Sequence, residues 1–119
     1  MEYSLKQAGD HKYIEIAQNF LIADEQAALE IVGACGYERT EKVLIHSASL
    51  PDQFFNLSSG LAGAILLKLS NYSLKAAVIL SPNQLRQGKF YDFALETNRG
   101  NQFRIFHEFP AAEEWLTRD

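Results

Sequence analysis

Residues 54 to 80, FFNLSSGLAGAILLKLSNYSLKAAVIL, constrain the fold most. Two apolar stretches are joined there by the polar turn Ser70-Asn71-Tyr72-Ser73. From Leu61 to Leu69 only Gly63 and Lys68 are not apolar. Leu61, Ile65 and Leu69 follow a four-residue spacing, with Ala62 and Leu66 in a second row beside it. That pattern predicts a helix buried on most sides, with Lys68 marking solvent. Gly60, Ala62, Gly63 and Ala64 are small and are expected to let the helix pack closely on a sheet. A stretch of nine residues is too short to span a bilayer, which takes roughly 20. Ala76-Ala77-Val78-Ile79-Leu80 is short, apolar and β-rich. A buried helix leading into a buried strand is half of an α/β repeat.

The flanking sequence extends the alternation. Residues 3 to 7 and 11 to 16 read as strands joined by Gln7-Ala8-Gly9-Asp10, a hairpin. His11, just after the turn, is expected to be exposed. Asp24 to Cys35 reads as an amphipathic helix with Ala27, Ala28, Ile31, Val32 and Cys35 on one face. Asp24 is its N-cap, and Gly36 is its expected stop. Val43-Leu44-Ile45-His46 is an apolar strand suited to burial on both faces of a parallel sheet. Leu50-Pro51-Asp52 breaks the chain, and Phe54-Phe55 reads as core cover. Residues 85 to 98 form the next helix, with Phe90, Phe93, Ala94 and Thr97 on one face and a start near Gly88. Gln102 to Phe106 alternates Phe103 and Ile105 against Arg104 and Phe106. A short helix begins at Pro110, a favoured first position, and Trp115 and Leu116 close it on the body. The predicted order is β-β-α-β-α-β-α-β-α. This is an α/β fold with an N-terminal β-hairpin, then alternating β and α with a mainly parallel central sheet and helices packed against it.

The chain has 119 residues, the size of one domain, and residues 1-119 are expected to form it. Net charge is -4, and the basic residues are scattered singly. No electrostatic footprint for nucleic acid or an anionic membrane is visible, and neither is expected as a partner. One cysteine excludes an internal disulfide and suits a reducing cytoplasm. The start, MEYSLKQAGD, lacks the pattern of a signal peptide. Cys35 lies in line with the apolar face of its helix and is expected to be a small buried side chain.

Chemistry is confined to the ends of elements. Ser58 or Ser59 reads as the N-cap of the central helix. The same amides and dipole favour an anion, so a phosphate on either serine, or on a ligand, would suit the Ser58, Ser59, Gly60 start. Neither a capping box nor a P-loop lysine is present. In open α/β sheets ligands bind beyond the carboxyl ends of the strands. Those ends bring forward a rim of His46, Ser47, Ser81, Asn83 and His107. A metal site from His46, His107, Asp52 or Glu108 lacks ligand spacing. A triad from Ser47 or Ser58 with His46 or His107 lacks a nucleophile elbow. No metal, no cofactor, no catalytic residue and no enzymatic activity are therefore expected.

Leu57-Ser58-Ser59-Gly60-Leu61, set between a strand and a helix, resembles the motif of the STAS domain, the fold of anti-sigma-factor antagonists. In that family an Asp-Ser-Ser-Gly-Leu type motif precedes the central helix, and a partner kinase phosphorylates its first serine. Ser58 falls on that position. The aspartate position is Leu57 here, with Asn56 one residue earlier. A wider resemblance covers nearly the whole chain. Phe55-Asn56-Leu57, Gly60-Leu61-Ala62-Gly63, Ser70-Asn71-Tyr72, Phe93, Glu96-Thr97-Asn98-Arg99-Gly100-Asn101, Ala112 and Trp115-Leu116 are similar to a bacterial STAS-like family, domain of unknown function 4180. The resemblance implies a STAS-like sandwich and a cytoplasmic regulatory domain. Such a domain binds a protein partner, is switched by phosphate or an anion at Ser58-Ser59, and is compatible with a homodimer. The alternative expectation is a domain binding a polar or anionic metabolite at the strand-end rim, ahead of any hydrolase.

Overall fold

The computed structural model describes residues 1–86 and 88–118. Five strands form one sheet in the order β1-β2-β3-β4-β5. They are β1 (Tyr3–Ala8), β2 (His11–Ile16), β3 (Lys42–His46), β4 (Lys75–Ile79) and β5 (Phe103–Phe106). β1 is antiparallel to β2, and β2 to β5 run parallel. The helices are α1 (Glu25–Glu38), α2 (Asp52–Phe55), α3 (Leu61–Asn71), α4 (Pro82–Leu85), α5 (Phe90–Thr97) and α6 (Phe109–Leu116). The α/β reading, the leading hairpin and the mainly parallel sheet all hold.

Alternation along the strands sorts the core into two layers. Ile14, Ile16, Val43, Ile45, Ala76, Val78, Phe103 and Ile105 point to one face, where they meet Ile31 of α1, Ile65 and Leu69 of α3, and Phe90 and Ala94 of α5. Tyr13, Leu44 and Ala77 point to the other face, which α6 covers with Ala112, Trp115 and Leu116. β3 and β4 are therefore buried on both sides, and their central residues read as unbroken apolar runs. Tyr13 and Glu113 tie α6 to β2 through a 2.6 Å hydrogen bond donated by the phenol. Burial, followed by the Glu113 carboxylate, pushes that phenol well above its ordinary range.

The elements differ from expectation where backbone conformation outvotes residue type. The hairpin turn is the pair Gly9-Asp10, because Gln7 and Ala8 pair with Lys12 and His11. Gly9 takes the positive φ of +60° that such a turn needs. Helix α1 runs past Gly36 to Glu38. Thr40 N–H donates to the Cys35 carbonyl and Arg39 N–H to the Gly36 carbonyl. That is a Schellman ending, with Arg39 at φ 58° where glycine is usual. Asp24 caps α1 as predicted, accepting from Ala27 N–H at 2.9 Å. The helix read from 85 to 98 with a start near Gly88 is α5, and a separate short helix, α4, precedes it. Ser81 and Gln84 form a capping box for α4, and α5 starts at Phe90.

On α3 the solvent marker is Leu67, 62 % exposed, while Lys68 is half-buried. Gly63 is exposed, and a Cβ there would meet nothing within 4 Å, so close packing on the sheet is not its role. A helical glycine with free space beside it only weakens its helix. Gly63→Ala is therefore expected to stabilise the fold by about 0.5 to 1 kcal/mol in chemical denaturation. Loss of stability would show that the space is taken.

Candidate functional site

The turn before α3 is built by Asn56. Its Oδ1 accepts from Ser58 N–H at 3.2 Å and from the Ser58 hydroxyl at 2.7 Å. Leu57–Ser59 form a single 3-10 turn, and Gly60, at φ 79°, is the residue that caps α3. Neither serine is thus the N-cap, because both are folded into the preceding 3-10 turn and the chain enters α3 through Gly60, whose left-handed backbone glycine adopts at low cost. Ser59 still serves the helix. Its hydroxyl accepts from Leu61 N–H at 3.2 Å and donates to the Gln53 carbonyl at 2.6 Å. Ser58, Ser59 and Gly60 are all exposed. Asn56 was absent from the sequence-based site. An asparagine two residues before a serine is an Asx-turn signal and could have revealed it.

The strand-end rim divides among separate settings. His46 closes β3, and its Nε2 lies 2.7 Å from Glu15 Oε2 on β2. Lys6 Nζ lies 3.8 Å from the other oxygen of the same carboxylate. His46 and Glu15 line a shallow cleft of about 200 Å³ together with Ser4, Ile16, Ala17 and Gln18. Ser47, Ser81, Asn83 and His107 do not line it. Ser47 begins a 3-10 turn, Ser81 and Asn83 belong to the exposed start of α4, and His107 is exposed after β5. The parallel register sets His46 beside β2 and β4, and its side chain turns toward β2. Glu15 gave no local signal beyond lying on the wet face of its strand. His11, expected to be exposed, is half-buried with Nδ1 3.2 Å from Lys42 Nζ.

Two further features come from the fold alone. A cleft of about 460 Å³ separates α3 from the segment after α5, lined by Gly63, Leu66, Leu67, Leu74, Thr97 and Phe103 among others. Beside it, Asn98 holds the free edge of β5: it donates to the Ile105 carbonyl at 3.2 Å and accepts from Ile105 N–H at 2.7 Å. The asparagine thus stands in for a neighbouring strand. Among the described residues, no three His, Cys, Asp or Glu side chains are gathered so as to hold a metal ion.

Cys35 is buried, and desolvation pushes its thiol up to about 12. The thiolate is the reactive form, so the native thiol is expected to react slowly with a disulfide reagent at pH 8 and fast in denaturant. Immediate reaction of the folded protein would contradict this burial.

The family model described as Domain of unknown function (DUF4180) matches residues 8–116. Neither the curated proteins nor the solved structures give a match. No helix among the described residues is long and apolar enough to cross a membrane. The match spans most of the chain, and the chain belongs to the DUF4180 family.

Proposed function

We propose that this member of the DUF4180 family is a bacterial cytoplasmic regulatory domain with a STAS-like fold. In this reading it is not an enzyme. It binds a protein partner, and phosphate at Ser58 changes that binding. The consecutive strand order with an antiparallel first strand supports the STAS-like reading, as does the Ser-Ser-Gly turn ahead of the helix leading to β4.

The observation that carries the switch is the exposed Asn56–Gly60 turn, in which the Ser58 hydroxyl donates to Asn56 Oδ1. Phosphate oxygens are acceptors, as is Asn56 Oδ1, so a phosphate on Ser58 replaces an attraction by a repulsion. It also adds roughly two negative charges. Those charges lie at the amino end of an eleven-residue helix, where unpaired amides favour an anion. Modification would therefore rebuild the turn and present a new charged surface.

Native mass spectrometry of the protein purified from its own cells tests this. The expected result is a fraction heavier by one phosphate, mapped to Ser58, with Ser58→Asp and Ser58→Ala capturing a partner with different affinities. An unmodified chain together with identical capture by both variants would remove the reading.

A further inference from the structure

The eleven lysines and arginines are scattered in sequence, yet the fold gathers six at the amino-terminal end of the parallel strands. They are Lys12 at the start of β2, Arg39 after α1, Lys42 at the start of β3, Lys75 at the start of β4, Arg104 in β5, and Arg118 after α6. Lys42 and Lys75 are direct partners in the β3–β4 register. Lys75 Nζ lies 4.5 Å from the centre of the Trp115 ring and the Arg104 guanidinium 5.4 Å from it. Burial, then Lys42, Arg118 and Arg104, hold the Lys75 amine below its ordinary range. Like charges placed opposite one another across strands are unfavourable, and four cations have been brought within reach here.

Several of these cations are anchored by the fold. Lys75 donates to the Trp115 carbonyl at 2.7 Å and Lys12 to the Glu38 carbonyl at 2.9 Å. Arg104 donates to the Gly100 carbonyl at 2.8 Å. Arg39 instead occupies a left-handed position that glycine would fill at lower cost. Lys12, Arg39 and Lys42 rim a cleft of about 580 Å³ between the hairpin turn and the end of α1. Among the described residues, His11, Thr40, Asp10 and Glu41 also line it. Among the described residues, Glu38 accepts from the Tyr3 hydroxyl, Glu113 accepts from the Tyr13 hydroxyl and Glu114 pairs with Arg118.

We propose that this cleft is an anion site for a small compound carrying several phosphates in a row, with Arg39 and Lys42 as its principal contacts. The volume is that of an ordinary small-molecule site. Cations on neighbouring strands are spaced by about 4.8 Å, so a chain of phosphates reaches more of them than one does. A long nucleic acid fits less well. The chain carries a net charge of -4, and the nearby Trp115 ring is 3 % exposed and unavailable for stacking on a base. The site lies at the opposite end of the sheet from the Ser58 turn and does not rest on the switch.

Calorimetric titration of the full chain with tripolyphosphate tests it, using wild type, Arg39→Gly and Lys42→Gln. Glycine suits the left-handed cap, so Arg39→Gly is expected to fold with an equal or higher melting temperature. Each substitution is expected to weaken binding about tenfold, equivalent to about 1.4 kcal/mol. Added salt should weaken wild type more than either variant. The proposal is overturned if wild type does not bind, or if both folded variants bind as wild type does. Equal affinity for orthophosphate would overturn the requirement for several phosphates. Tighter binding of a single-stranded oligonucleotide would overturn the small-anion assignment.

Discussion

Successive β-α-β units place α1, α3 and α5 against one face of the sheet, and the rest of the structure depends on how α6 covers the other. Leu44 and Ala77 would otherwise stand in water at the centre of the two most buried strands. α6 meets them with Ala112, Trp115 and Leu116. Burying a side chain such as Leu116 contributes about 1.5–3 kcal/mol, so the contact is large for a helix of eight residues. Polar groups fix its position: the Tyr13 phenol holds Glu113, and the Lys75 amine holds the last turn through the Trp115 carbonyl. A cation at the carboxyl end of a helix is also favoured by the helix dipole.

The same arrangement gives the sheet two chemically different ends. At the carboxyl end, the break after β3 leads into the Asn56–Gly60 turn and the start of α3, and His46 pairs with Glu15. At the amino end, each parallel strand begins with or near a cation, and the register sets Lys42 beside Lys75. The edges are handled differently. β1 carries exposed polar residues and Lys6, and β5 is closed by the Asn98 side chain.

The fold was legible because its signals are local and repeated. Val43 to Ile45 and Ala76 to Val78 are apolar without alternation, as strands covered on both faces must be. Asp24 followed by an apolar periodicity marked α1 correctly. Conformation defeated residue type at Gly36, which looked like a stop but lies within a helix that ends at a left-handed arginine. It did so again at Ser58 and Ser59, whose cap role passes to Gly60 once the preceding turn forms. Leu67 and Lys68 exchanged their expected exposures because one residue of helix rotation, about 100°, separates the two faces.

The site was far less legible. Glu15 and His46 are 31 positions apart, and only the β2–β3 pairing brings them together. The cationic end is invisible in a chain whose basic residues occur singly, since it is created by strand register. The family match gives the chain its relatives without a mechanism, so the chemistry has to come from these contacts.

Hydrogen exchange of the intact chain, read residue by residue, shows whether α6 closes the second face of the sheet. The β3 and β4 amides are expected to exchange slowest, and the α6 amides to open with a free energy close to theirs. Exchange of α6 within seconds, with β3 and β4 still protected, would show that the face is not held by this helix.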